Sequence, residues 1–179
     1  MPTDPTQFDA VGPRVGIRRP STRDCSEFVA LVNASHDFLR PWVEPASTRE
    51  GFYDYLRRRT SPTDDAFFIC ELDTGRIAGV VNVSVIVRGP FQSAYLGYWI
   101  GAPFARRGFM TEGLNLVTRY AFTEMGLHRL EANIQPGNLP SIAAARRAGF
   151  SKEGFSPKYL KIVGEWRDHE RWAIRSDAD

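Results

Sequence analysis

The period of the apolar positions changes several times along the chain, and each change marks an element. Arg14 to Arg19 alternates and predicts a first strand, which Pro20 ends. Ser21 and Asp24 have the spacing of a capping box, and the helix they open carries Phe28, Leu31 and Val32 on one side to about Asn33. His36 to Pro45 reads as an aromatic, proline-punctuated loop. Ser47 or Thr48 can cap a second helix through Phe52, Tyr55 and Leu56, ending near Thr60.

From Ala66 the period drops to two. Strands are predicted over Ala66–Leu72, Arg76–Val87 and Phe91–Ile100, joined by turns at Asp73–Gly75 and Arg88–Pro90. In the middle one, Val81, Val83, Val85 and Val87 are expected on one face, with Val80, Asn82, Ser84 and Ile86 on the other. Helical spacing returns after Gly108 with Met110, Leu114, Val117, Ala121 and Met125. Strand His128–Gln135, turn Pro136–Pro140 and a short helix Ser141–Ala148 follow, with Gly149 suited to end that helix. Phe150–Ser156 and Asp168–Ile174 read as closing strands around a loop. After the first strand, the order α α β β β α β α β β predicts an α+β fold, one mixed central sheet flanked by helices. Residues 1–12 read as a flexible tail and 13–176 as the domain.

Composition adds limits. The 179 residues, 42% hydrophobic and 25% charged, fit one soluble globular domain, and a net charge of +2 excludes a histone-like or acidic-tail protein. Two isolated cysteines make no disulfide framework, and no ligand spacing among Cys and His suggests a metal site. The first residues lack a signal-peptide layout, and the apolar run Ile77–Val87 is too short to span a bilayer. A cytoplasmic protein without membrane contact is expected. All but Lys152, Lys158 and Lys161 of the 23 basic residues are arginine.

Two segments carry candidate chemistry. Tyr98–Glu112 ends a strand, turns through Gly108 and starts a helix. The first N–H groups of a helix have no intrahelical acceptor, and with the positive end of the dipole they form an anion site. Gly108 lets the backbone approach a phosphate without a Cβ in the way. Arg106 and Arg107 add two cations at the same mouth, so a pyrophosphate is the natural ligand; a plain strand–helix connection with a solvated arginine pair is the alternative. Asn133–Phe150 is again strand, turn and helix, with Asn138 three residues before Ser141 and Gly149-Phe150 at its end.

Together the two segments resemble the acyl-CoA site of the GNAT superfamily of N-acetyltransferases. There the signature is Q/R-x-x-G-x-G/A, followed on a later helix by N-x-x-S and a closing G-F. Gly108 keeps the core of the first motif, while Ala105 stands at its Q/R position and Met110 at its last small position. Phe38–Trp42, Val87–Tyr98, Gly108–Glu112 and Glu153–Leu160 with Gly164–His169 are similar to the ribosomal-protein-alanine N-acetyltransferases (RimJ/RimL), on the side of the RimJ branch. The similarity spans about residues 14–175.

The resemblance implies a GNAT-like fold and direct transfer from acetyl-CoA to an amine, without an acyl-enzyme and without a metal. It places coenzyme contacts at Tyr98, Trp99, Ile100, Arg106, Arg107, Gly108, Phe109, Met110, Thr111, Asn138, Ser141 and Arg146, with Arg147 sharing the phosphates. His36 and Trp42 would line the acceptor groove. N–H groups around Trp99 and Ile100 would hold the oxyanion, and Ser141 would give the leaving thiol its proton. In the RimL branch a glutamate accompanies that serine; it falls at Leu160 here, so no base carries over. Glu112, Glu153 and Glu165 are the candidate carboxylates, Glu112 being placed equally well to complement the helix dipole. His169 beside Asp168 reads as half of an ion pair, with a catalytic role as the alternative.

An α-amine has a pKa of about 7.7–8.0 and a lysine about 10.4, so without an assured base a protein N-terminus suits the enzyme better. The expected acceptor is the N-terminal alanine, or a similar small residue, of a ribosomal protein. A small-molecule amine (antibiotic, polyamine or amino-acid derivative) is one alternative, and a wide acidic pocket would favour it. A non-catalytic CoA-binding ribosome-assembly protein is the other. With the remaining arginines scattered among 21 acidic residues, no general nucleic-acid binding is expected, and the chain is expected as a monomer or homodimer.

Overall fold

Consecutive side chains on a strand point to opposite faces, and one strand at the centre of the molecule buries both. In the computed structural model, which describes residues 8–176, Ala66 through Cys70 are fully buried. The Phe68 ring stacks on Phe28, 5.5 Å between centroids, while the Phe67 ring meets Tyr120 edge-on at 5.2 Å on the other side. Helices therefore cover both faces.

The strands are β1 (Ala10–Val11), β2 (Val15–Arg18), β3 (Asp65–Glu71), β4 (Ile77–Val87), β5 (Ser93–Ile100), β6 (Arg129–Ile134), β7 (Ser151–Ile162) and β8 (Glu165–Arg175). The helices are α1 (Cys25–Ala34), α2 (His36–Leu39), α3 (Arg49–Arg58), α4 (Phe109–Thr123) and α5 (Leu139–Arg147). One mixed sheet runs β1-β2-β3-β4-β5-β6-β8-β7. β5 and β6 pair in parallel and every other pair is antiparallel. Parallel neighbours need a crossover, and α4 supplies it, which puts the start of α4 just past the end of β5. The close approach of α4 to β3 requires Gly113: a Cβ there would sit 2.3 Å from Ile69 Cδ1.

The site-forming feature is a failure of pairing. β5 and β6 are in register only from Ser93↔Arg129 to Leu96↔Ala132. Beyond that β5 runs on to Ile100 against β4 alone, and β6 runs on to Ile134 against β8 alone. A wedge opens between them, beginning at Gly97, where a built Cβ would meet nothing within 4 Å.

Several sequence expectations change. Residues 10 and 11 belong to the sheet, pairing with Ile17 and Gly16, so the expected tail boundary at 12 falls inside a hairpin. Phe8 explains the docking, since its ring lies where a side chain on Gly16 would be. The rest of the expected tail, residues 1–7, lies outside the described residues. The expected loop at His36 begins instead with the turn of helix α2. In β4 the alternation breaks at Val85, which has φ 52° in a bulge between Ser84 and Val87 and is 55% exposed. Helix α5 starts two residues early at Leu139, capped by Asn138.

The largest change is the closing hairpin. The expected loop between Ser156 and Asp168 is instead the tip of a long antiparallel pair, turning at Val163 and Gly164, both with positive φ. Pro157 cannot donate to a ladder, and it falls in a bulge between Ser156 and Leu160. The positive φ of Lys158 completes that bulge, and its N–H is taken by Asp168 Oδ1 at 2.8 Å.

Candidate active site

The wedge continues into a cavity of about 880 Å³ whose wall includes β5 from Tyr95 to Ile100, the start of α4, one side of α5, and Tyr159, Leu160 and His169 from the closing hairpin. Among the described residues, the aspartates and glutamates all lie off that wall.

One side of the wall carries backbone donors and a cation. Gly108 is the N-cap of α4 with φ 79°, a backbone shape that suits glycine. The residues of the first turn, Phe109, Met110 and Thr111, lie on the wall beside Gly108 and Arg106. Their N–H groups have no helical acceptor. Arg107 does not join them. Its guanidinium is hydrogen-bonded to Glu71 and lies 4.3 Å above the Phe109 ring, and its carbonyl accepts from Arg14 Nη1 at 2.8 Å. Thr74 and then Arg107 hold the Glu71 carboxyl below its usual range. Of the expected pair of phosphate arginines, Arg106 lies on the wall and Arg107 does not. On α5 the expected Arg146 faces away, over the Trp172 ring at 5.5 Å, and Arg147 takes the place on the wall. One residue is about 100° of helix, enough to move a side chain from the sheet to the cavity.

Asn138 accepts from Ser141 N at 3.3 Å and so caps α5 while also lining the cavity. Ser141 Oγ donates to the Tyr98 hydroxyl at 2.9 Å, and that hydroxyl donates to Ser141 O at 3.1 Å. Burial pushes the Tyr98 phenol up to about 12, against the smaller opposing effect of Ser141. Tyr98 is thus a neutral strut from β5 to α5.

The β5 backbone separates the two expected oxyanion donors. Gly101 N donates to Ala78 O at 2.8 Å, toward β4. Along an extended strand the N–H groups alternate sides. Ile100 N–H therefore faces the open wedge, while Trp99 N–H faces β4. Trp99 reaches the wall as a side chain held edge-on by Phe28, 5.7 Å between centroids.

Of the two residues expected at the acceptor groove, Trp42 lines the cavity, its carbonyl accepting from Gln135 Nε2 at 3.4 Å. His36 does not line it; the ring is on the surface, with Nδ1 3.1 Å from Asp37 Oδ1. The extra helical turn α2 rotates it outward. None of the three candidate carboxylates reaches the cavity. Glu112 accepts from Arg14 N at 2.7 Å, Val15 N at 3.0 Å and Arg14 Nε at 3.0 Å, tying α4 to β2. Glu153 pairs with Arg129, and Glu165 with Arg167 at 2.7 Å. Leu160 does line the cavity, so an apolar side chain stands where the RimL-branch glutamate would fall.

His169 enters the site from β8. It lines the cavity and is 2% exposed, with Nδ1 2.9 Å from Arg167 O. The expected ion pair with Asp168 is not made, because consecutive strand residues face opposite ways. Within the strand expected over Asp168–Ile174, alternation already put His169 with Arg171 and Ala173 on one face, away from Asp168.

A wedge between parallel strands, opposite the N-terminus of a crossover helix, is the layout of an acyl-CoA-dependent acyltransferase. The family model described as "Acetyltransferase (GNAT) domain" matches residues 14–151, and the chain belongs to that family. Within it the chain falls in the RimJ/RimL ribosomal-protein acetyltransferase group, and it is an acetyl-CoA-dependent N-acetyltransferase. It is 34% identical to YjcK of Bacillus subtilis (strain 168), covering 94% of this chain and 97% of that one. It is also 34% identical to the [Ribosomal protein uS5]-alanine N-acetyltransferase of Escherichia coli (strain K12), covering 90% and 87%. Among solved structures, RimJ of Mycobacterium smegmatis in complex with CoA-disulfide is 30% identical, with TM-score 0.84 over 91% of this chain and 82% of that one. Among the described residues no helix is long and apolar enough to cross a membrane.

Proposed function

We propose that this enzyme acetylates the α-amine of a protein N-terminus, beginning with alanine or a similar small residue, on a ribosomal protein in the cytoplasm. The observation that carries this reading is the acceptor half of the cavity. Trp42, Tyr95, Tyr159 and Leu160 line it, and no carboxylate among the described residues does. A polyamine or aminoglycoside keeps several positive charges, and burying charge without a partner is costly. A chain N-terminus brings one amine, with a pKa of about 7.7–8.0, and an apolar first side chain. The 34% identity to a uS5-alanine N-acetyltransferase supports the same acceptor.

In this reading α4 residues 108–111, Arg106 and Arg147 hold the coenzyme phosphates. Asn138 and the open edge of β5 hold the pantetheine amides. Ile100 N–H stabilises the oxyanion as the amine adds to the thioester. Ser141 gives its hydroxyl proton to the departing sulfur. A thiol with an ordinary pKa of about 8.5 is a tolerable leaving group, so that donation is an aid rather than a necessity.

The test is release of free thiol from acetyl-CoA against peptides that differ only at residue one, with spermidine and an aminoglycoside as controls. Turnover confined to peptides with a small first residue is expected. Turnover on the controls alone would reject the reading.

A further inference from the structure

We propose that His169 is the general base of the transfer, reached by the amine from the face of the sheet opposite to Ser141. The inference rests on the N-terminal acceptor proposed above.

Elimination comes first. The titratable side chains on the described wall are Tyr95, Tyr98, Tyr159, Arg106, Arg147 and His169. An arginine is a cation at any working pH, and a phenol ordinarily ionises near 10. Burial raises Tyr95 and Tyr98 further. His169 is the group whose lone pair is available at neutral pH. Burial lowers its imidazole, against the smaller opposing effects of the Arg167 carbonyl and Asp168, which keeps it neutral there.

Geometry supplies the rest. A neutral imidazole has one N–H and one lone pair. With Nδ1 2.9 Å from Arg167 O, the N–H belongs at Nδ1 and the lone pair at Nε2. Tyr159 holds the ring edge-on, 6.3 Å between centroids. Asp168, the neighbouring charge, lies on the other face with its Oδ1 engaged by Lys158 N. Strand register then fixes the sides. Asn133 pairs with Arg171, and Tyr95 pairs with Glu131, so Tyr95, Asn133 and His169 share one face. Leu96 pairs with Ala132, so Tyr98, and with it Ser141, belongs to the other. A thioester threaded through the wedge thus has the base on one side and the proton donor on the other. Asn133 Oδ1, buried on the base side, has no hydrogen-bond partner and marks where a donor such as an amine is wanted.

The step balances as follows. The neutral amine forms the C–N bond while the carbonyl π pair moves to oxygen. His169 Nε2 takes one proton from the nitrogen. The oxyanion collapses, the C–S bond breaks, and its pair goes to sulfur, which takes a proton from Ser141. His169 then loses its proton to solvent, and Ser141 regains one.

The test uses H169N, which keeps a donor for the Arg167 carbonyl and removes the basic ring nitrogen. Its kcat/KM on the best acceptor is expected to fall by about 100-fold or more, the usual scale of a general base, with CoA affinity unchanged. The pH profile separates a base from a structural part. In the native enzyme log kcat/KM should rise with slope two at low pH, bend at an imidazole value below the ordinary one, and continue with slope one to the amine pKa. In H169N the lower bend should vanish. A folded H169N within threefold of native kcat/KM, with the bend retained, would overturn the proposal. If H169N does not fold, the native profile decides alone: slope one throughout would overturn it. The comparison is run on whichever amine the native enzyme acetylates fastest. Turnover of polyamines alone therefore rejects the acceptor reading while still testing His169.

Discussion

The hydroxyls of Ser141 and Tyr98 are 2.9 Å apart, and the Tyr98 hydroxyl also donates to the Ser141 carbonyl. Two bonds thus lock the start of α5 to the splayed end of β5. If Ser141 protonates the leaving sulfur, S141A should lower kcat by about 10- to 100-fold, the modest end of acid catalysis because a thiolate is a fair leaving group. KM for acetyl-CoA should change little, since Asn138 and α4 remain. Steady-state kinetics with acetyl-CoA varied at saturating peptide checks both numbers. Y98F should show a smaller fall in kcat, because it keeps the serine and loses only its orientation.

Gly108 holds φ 79°, and a Cβ there would come within 3.0 Å of Arg14 Nη2. A side chain in the left-handed region costs about 1–2 kcal/mol. G108V should therefore lower stability by that order and weaken CoA binding by more than tenfold, because the methyls crowd the phosphate mouth. Calorimetric titration with CoA, alongside thermal melting, separates the two effects.

Glu112 is predicted to be a tie between elements and not a base. E112A leaves the N–H groups of Arg14 and Val15 without their acceptor; Arg14 can turn to water, but Val15 is buried, and an unsatisfied buried donor costs about 1–3 kcal/mol. Urea unfolding should show that loss, while kcat of the folded variant stays within about threefold of native, inside the non-additive scatter of remote changes.

Acid should loosen the fold in two windows. His169 is depressed in the folded chain, so the unfolded state binds more protons below the ordinary imidazole value of 6.5. Stability is then lost as pH falls from there through the lowered folded value. Asp24 is also depressed: burial alone would raise it, but the Arg18 fork at 2.7 and 3.0 Å and the Ser21 N–H outweigh burial. Its contribution is present above the unfolded value of 3.8 and lost as pH falls through the folded one. Melting temperature against pH should show both windows; H169N should remove the upper and D24N should shrink the lower.

The arginine-rich composition has a structural use that spacing could not show. Arg14 reaches Glu112, Arg18 reaches Asp24, Arg19 bridges Asp9 and Asp65, Arg59 reaches Asp64 and Arg129 joins Glu131 to Glu153. Three of these pairs, Arg14–Glu112, Arg19–Asp65 and Arg129–Glu153, tie elements distant in sequence, and a guanidinium can hold two carboxylates at once where an ammonium cannot do so with fixed geometry.

Local patterning determined most of the element order and the start of α4 after Gly108, because helical periodicity and helix starts are properties of a few neighbouring residues. It also carried the family, through motifs spread over most of the chain. What it could not decide were directions. Arg107 against Arg106 and Arg147 against Arg146 each differ by which way one side chain points, and that is set by partners far along the chain: Glu71 and Trp172. The wedge between β5 and β6 lies in neither strand. It exists because β6 leaves β5 after Ala132 while staying paired with β8, a choice made by the assembled sheet.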